Sequence, residues 1–308
     1  MNAAEGETKG MDDTAVMTPT FDRTAEDLGN VVELGHVNVT VPDQSKAVAF
    51  YLMGLGLTRD PYLMAGLENM WVNVGRGQFH LPSRAKPQVV RGTTALVLPD
   101  LEALLKRLDH AKKFLEGTHF SFREAGDTVE ATCPWGNRIR VHAPNLSRFG
   151  PMRVGMPYVE VNVATGTDLA AIAKFYTDIL GGLAGVSSDA QGPYAWAKTS
   201  AESKVIYRET AEPQPEYDGH HIQITLVDFS GPHRKLLERG LISEESDQHQ
   251  YRFLDVVDVD TNKPLVRIEH ETRSMRHPMF NRTFINRNPD MTNRNFVPGY
   301  EVGLWALN

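Results

Sequence analysis

Apolar and polar positions alternate along four short stretches of the chain. Each stretch is followed by a helix-like pattern and then by further alternation. The first covers 34–41 within GHVNVTVPD (35–43), where alternation at period two predicts a strand with one apolar and one polar side. Pro42-Asp43 ends it, and Asp43 or Ser45 is placed to cap a helix over 45–54 that turns Ala47, Val48, Phe50 and Tyr51 toward a core. Glycines in FYLMGLG close the helix. Strands are then predicted around 60–64, at 70–75 and in QFHLP, 78–82. The order is βαβββ.

The phrase returns three times. GTTALVLPD (92–100) carries Thr93 where His36 stood, with Asp100 seven residues on, a helix DLEALLKRLDHAKKFL and a last strand at 137–144. YVEVNVATGTD (158–168) carries Glu160 in that place and Asp168 with one residue inserted. Its helix ends FYTDILGG (175–182), matching FYLMGLG as FYxxxLG. GHHIQITLVD (219–228) carries His221 and Asp228, with a helix near 231–239 and a last strand in PLVRIEHE, 264–271. A unit recurring about every 55 to 65 residues is an internal repeat. NLSRFGPMRVGMP (145–157) is rich in Pro, Gly and Met and reads as a linker. These signals predict a tail at 1–32, a first paired-module domain at 33–145, a linker at 146–156, a second paired-module domain at 157–275 and an extension at 276–308.

The chain has 308 residues, a formal net charge of −7 and one cysteine, Cys133, with a pI near 5.9. The acidic balance gives no support for nucleic acid or an anionic membrane as partner. A single cysteine excludes an internal disulfide and a cysteine-rich zinc site. No apolar run approaches a membrane span, and the first residues lack a basic and apolar leader. The expectation is a soluble, cytoplasmic protein that acts on a small molecule, with a homo-oligomer left open.

GHVNVTVPD, FYxxxLG, GQFHLP, the turn CPWGNRIRV and GHHIQITLVD together resemble the vicinal oxygen chelate superfamily, over roughly 33–275. That group includes glyoxalase I, extradiol ring-cleaving dioxygenases and bleomycin-resistance proteins. The resemblance implies an α+β fold of four βαβββ modules paired into two cupped mixed β-sheets, with metal ligands projecting from first and last strands. The four-module length looks more like an extradiol dioxygenase than a two-module glyoxalase.

The ligand positions it implies are only partly filled. In the later half, Glu160 and His221 head the first strands. The last strand offers Glu269 or Arg267, depending on how DVDTNKPL is gapped. Glu160, His221 and Glu269 form the expected metal set. The other set is His36, His80 and His142, with Arg140 where a glutamate is expected. Tyr207 and His220 are candidates for proton work, and Arg140, Arg267 and Arg273 for anionic substrate. A divalent metal is implied, Fe2+ favoured, with Mn2+, Zn2+ or Ni2+ open. The expected function is an extradiol-type dioxygenase. The alternatives are a glyoxalase-like isomerase or lyase and a metal-free protein that binds a small ligand in the cup. The segment 281–305, rich in Asn, Arg and aromatics, is expected to wrap the second domain or a partner subunit.

Overall fold

The computed structural model describes residues 21–63, 66–289 and 291–295; residues 1–20, most of the predicted tail, lie outside them. The first module contains β1 (Val31–Asn38), α1 (Gln44–Ala47) running into a π-helical turn Val48–Gly54, β2 (Thr58–Arg59), β3 (Asn69–Val74) and β4 (Gly77–Pro82). The second contains β5 (Gly92–Val97), α2 (Leu101–Ala111), β6 (Ser121–Ala125), β7 (Thr128–Thr132) and β8 (Arg138–His142). A short linker helix, α3 (Leu146–Phe149), leads to the third, with β9 (Tyr158–Ala164), α4 (Leu169–Asp178), β10 (Ala184–Asp189), β11 (Gly192–Lys198) and β12 (Lys204–Thr210). The fourth contains β13 (His221–Leu226), α5 (Ser230–Glu238), β14 (Ile242–Asp247), β15 (Gln250–Val257) and β16 (Pro264–Ser274).

The recurring aspartate has one structural job in all four modules. Asp43 accepts from the backbone N–H of Ser45 and Lys46 at 2.8 and 3.1 Å. Asp100 accepts from Ala103 at 2.8 Å, Asp168 from Ala171 at 2.9 Å and Asp228 from Gly231 at 3.0 Å. Each supplies an acceptor to N–H groups that a helix start cannot satisfy by itself.

The modules pair differently from the order in the chain. One eight-stranded sheet runs β14-β15-β16-β13-β1-β4-β3-β2, and the other β10-β11-β12-β9-β5-β8-β7-β6. The first module therefore joins the fourth, and the second joins the third. The expected pairing within 33–145 and within 157–275 is corrected. All four first strands carry the same alternation, so any two satisfy the pattern; the partner is selected by contacts outside it. Asn30 is one such contact: its Nδ2 donates to Leu180 O and Asp228 O at 2.7 and 2.9 Å, tying the start of β1 to the third and fourth modules. Two glycines permit the close approach of first strands. A Cβ on Gly92 would stand 1.8 Å from the Glu160 carbonyl oxygen, and one on Gly35 would stand 1.8 Å from Gln223 Oε1.

Helices fill the space between the sheets. The π-helical turn packs on α2, and α4 touches β11 of one sheet and β15 of the other, so one continuous apolar core spans both. A buried polar chain crosses it: the Tyr176 hydroxyl lies 2.6 Å from the Tyr207 hydroxyl and 2.6 Å from His270 Nε2, while His270 Nδ1 lies 2.9 Å from Ile268 O.

The described part of the C-terminal extension does not wrap the later modules. It crosses back to the first. Arg282 forms a two-point ion pair with Asp60 at 3.2 and 2.6 Å. Asn286 exchanges two hydrogen bonds of 2.8 Å with Gly75, and Asn73 Nδ2 donates to Ile285 O at 3.0 Å.

Candidate metal centre

Strand alternation gives each sheet a face toward the helices and an opposite, polar cup face. In the first sheet that face carries His36 on β1, His80 on β4, His221 on β13, Arg252 on β15, and Glu269, Glu271 and Arg273 on β16. His36 owes its direction to a bulge. β1 pairs Leu34 with Ile224 but His36 with Gln223, which leaves Gly35 as an extra residue. Leu34 thus joins the apolar core while His36 enters the cup. Bulges commonly re-aim side chains in this way beside functional sites.

One ligand atom from each of His36, His221 and Glu271 lies within 4.8 Å of the others. The three residues are 1%, 6% and 3% exposed. His221 Nε2 stands 3.4 Å from Glu271 Oε2, and His36 Nε2 stands 4.0 Å from Glu271 Oε1. Among the described residues His36 Nε2 and His221 Nε2 are buried without a hydrogen-bond partner. Orphaned buried polar atoms are rare and costly, and two converge here on the buried Glu271 carboxylate. Ligand atoms bonded at about 2.0–2.2 Å to one first-row dication stand about 3–4 Å apart, and both imidazole-to-carboxylate spacings fall in that range. The donor set fits such an ion.

The electrostatics favour the ligating protonation states. Burial holds the His36 imidazole well below the ordinary range. Burial opposes ionisation of Glu271, but the charge that faces it, that of the Arg273 guanidinium above all, outweighs it and holds the carboxyl far below its usual value. Arg252 spans the two acids of β16, with Nη1 2.9 Å from Glu269 Oε2 and Nη2 2.8 Å from Glu271 Oε2. Arg273 Nη2 lies 2.7 Å from Glu271 Oε1 in a second buried ion pair. Glu269 Oε2 is 3.4 Å from His221 Nδ1, the place of a carboxylate that fixes a ligating histidine's tautomer.

His80 sits beside the cluster, its ring 5.7 Å from that of His36 and stacked 3.8 Å from Trp71. Its Nε2 is 2.6 Å from Asn69 Oδ1, and burial pushes its pKa down to about 3. His36 and His80 do face one another, but in a cup completed by the fourth module.

Register locates the equivalent positions in every module. His36 pairs with Gln78, Thr93 with Arg138, Glu160 with Ile206 and His221 with Glu269. Two residues beyond these partners stand His80, Arg140, Arg208 and Glu271. The expected set Glu160, His221 and Glu269 is therefore corrected. Glu160 lies in the other sheet, and Glu271 rather than Glu269 completes the cluster. The other set also divides, because His142 is in the second sheet with Nε2 3.0 Å from the Tyr158 hydroxyl.

The second cup encloses about 590 Å³ and is ion-paired rather than ligating. Glu160 accepts from Arg208 Nε at 3.0 Å, and Arg208 also grips Asp189 at 2.9 and 2.8 Å. Arg140 lies 3.4 Å from Glu130. Guanidiniums occupy two of the four positions and neutralise Glu160, the one carboxylate among them.

The remaining candidates are placed elsewhere. Tyr207 is fully buried in the core on the Tyr176 hydroxyl, away from either cup. His220 is buried, with Nδ1 2.7 Å from Asp218 Oδ1. Arg267 pairs with Asp255 at 2.8 and 3.1 Å on a half-exposed edge and faces no cup ligand. Arg273 alone of the three candidate arginines reaches the cluster. Glu271 and Arg252 escaped sequence reasoning. Glu269, Glu271 and Arg273 share one strand face, so alternation cannot choose among them without register.

No family model matches the chain, and no curated protein matches it. Solved structures do. Glyoxalase I from Zea mays superposes with a TM-score of 0.57 at 15% identity, over 80% of this chain and 93% of that one. A putative dioxygenase from Bacillus subtilis superposes with a TM-score of 0.53 at 12% identity, over 81% of this chain and 87% of that one. With its four modules and two mixed sheets, the chain has the vicinal oxygen chelate fold.

Proposed function

We propose that the chain is a metal-dependent enzyme acting on a small oxygen-rich substrate, of the extradiol dioxygenase type, with Fe2+ held by His36, His221 and Glu271. The observation that carries this reading is the convergence, within 4.8 Å, of two buried imidazole nitrogens that have no hydrogen-bond partner among the described residues and one buried carboxylate. That donor set with open positions suits ferrous oxygenase chemistry. When bound, the ion supplies a Lewis acid and a template for two adjacent substrate oxygens and O2.

The chain's own residues shape what happens around it. Glu269 orients His221, and the Arg252 guanidinium bridges Glu269 and Glu271. Trp71 and His80 wall the cup beside His36. Burial keeps His80 neutral, and its link to Asn69 commits one ring nitrogen, so the other is left to accept a hydrogen bond from substrate. Glu269, with 18% of its side chain exposed, favours a second reading. A partly exposed carboxylate beside the ligands is placed to move a proton in a glyoxalase-like isomerisation.

Anaerobic reconstitution with Fe2+ followed by oxygen uptake on a panel of catechols tests the first reading. Uptake that depends on both Fe2+ and His36 supports it. Isomerisation of a hemithioacetal without oxygen uptake replaces it with the second.

A further inference from the structure

The cup holds more positive charge than its ligands need. On the cup face around the cluster, Glu269 and Glu271 oppose Arg252 and Arg273, so the unloaded site is balanced. Both guanidiniums touch the ligand carboxylate, Arg252 at 2.8 Å and Arg273 at 2.7 Å. Their side chains are only 21% and 10% exposed, so water screens them weakly. Two further acids lie near. Glu244 is 3.7 Å from Arg252 Nε but half-exposed. Glu33 is half-buried and its carboxylate accepts from Thr225 at 2.6 Å, so it offsets only part of the charge of Arg273. A dication bound by two neutral imidazoles and Glu271 leaves the pocket with a net positive charge that is compact and poorly solvated.

We propose that Arg252 and Arg273 make this cup selective for an anionic chelating substrate, one whose adjacent oxygens carry up to two negative charges, as a 2-oxo or 2-hydroxy acid or a carboxylated catechol does. The inference rests on the metal reading above and adds the substrate's charge to it. Arg252 is the specificity residue at the mouth, where it shares partial exposure with Glu269. Arg273 is held from behind by Gln250 Oε1 at 3.0 Å and fixes the charge from the closed side. The same arginines oppose the metal when no anion is present and favour the metal–anion pair when one is. Metal and anion therefore bind cooperatively, and removing an arginine changes the two steps in opposite directions.

Equilibrium dialysis of the full chain with Co2+ tests this, using oxalate as the dianionic probe and oxamide as its neutral counterpart, with free Co2+ corrected for oxalate complexes in solution. Oxalate is expected to tighten Co2+ binding tenfold or more, and oxamide to leave it unchanged. Arg252→Gln is expected to bind Co2+ more tightly than wild type without oxalate and to lose most of the oxalate enhancement, while Arg252→Lys keeps it. A wild-type chain that binds Co2+ through His36 but shows no difference between oxalate and oxamide overturns the inference and leaves the metal site standing. An enhancement that survives Arg252→Gln and Arg273→Gln also overturns it. Co2+ binding indifferent to His36→Ala overturns the metal reading and this inference with it.

Discussion

Arg282→Met should release the C-terminal strap from the first module. Asp60 is 1% exposed and Arg282 21% exposed at the side chain, so the substitution strands a buried carboxylate. Removing one partner of a fully buried pair costs about 3–5 kcal/mol. Here the cost is smaller, because Asp60 keeps the N–H groups of Tyr62 and Leu63 at 2.8 and 2.9 Å and the Gln78 amide at 3.3 Å. A loss of about 2 kcal/mol raises the open population of the strap roughly 30-fold. Native-state hydrogen exchange reads this locally. The Gly75 N–H, bonded to Asn286 Oδ1, and the Arg287 N–H, bonded to Thr58 Oγ1 at 3.0 Å, should exchange about 30-fold faster. Amides of α4, in the third module, should not change. Unaltered exchange at both sites would show that the ion pair does not fasten the strap.

Tyr176→Phe removes the hydroxyl that joins Tyr207 to His270 and leaves two buried groups unpaired, which should cost about 2–3 kcal/mol in urea denaturation without weakening metal binding; a loss below about 0.5 kcal/mol would contradict this. Gly92→Ala drives a Cβ into the Glu160 backbone and should destabilise by more than about 3 kcal/mol, whereas Gly35→Ala meets only a side chain and should cost less; equal stabilities would refute the close-approach argument. Burial pushes His80 to about 3 and His270 to about 4 from 6.5. The unfolded chain then binds protons that the folded chain refuses, so stability is complete above about pH 6.5 and falls toward pH 4 by up to about 1.4 kcal/mol per pH unit for each imidazole. The urea midpoint of metal-free protein should be lower at about pH 5.5 than at about pH 7.5, and a midpoint that rises on acidification would count against the buried, neutral imidazoles.

The module plan was legible because alternation, the capping aspartate and FYxxxLG are local signals that recur. Pairing was not, because β1, β5, β9 and β13 are interchangeable by pattern and their partners are fixed by contacts such as Asn30 with Asp228. That choice decides the site. His36 and His221 open matching phrases yet lie 185 positions apart, and only the union of first and fourth modules brings them together. The bulge at Gly35 is visible only once β13 is in register. Glu271 differs from Glu269 by one step of a strand face, and Arg267 avoids the site by turning to Asp255, a pairing that a linear pattern does not contain.

Metal titration of four variants separates this centre from every other grouping of the candidate ligands. His36→Ala and Glu271→Gln should each abolish tight binding of a single dication, measured by calorimetry and by metal content after dialysis. Glu160→Gln should keep full content, because its carboxylate is committed to Arg208 in the other sheet. Glu269→Gln should bind more weakly yet still retain the ion, as expected for a residue that only orients His221. Full retention in Glu271→Gln together with loss in Glu160→Gln would contradict the assignment and move the metal to the second cup.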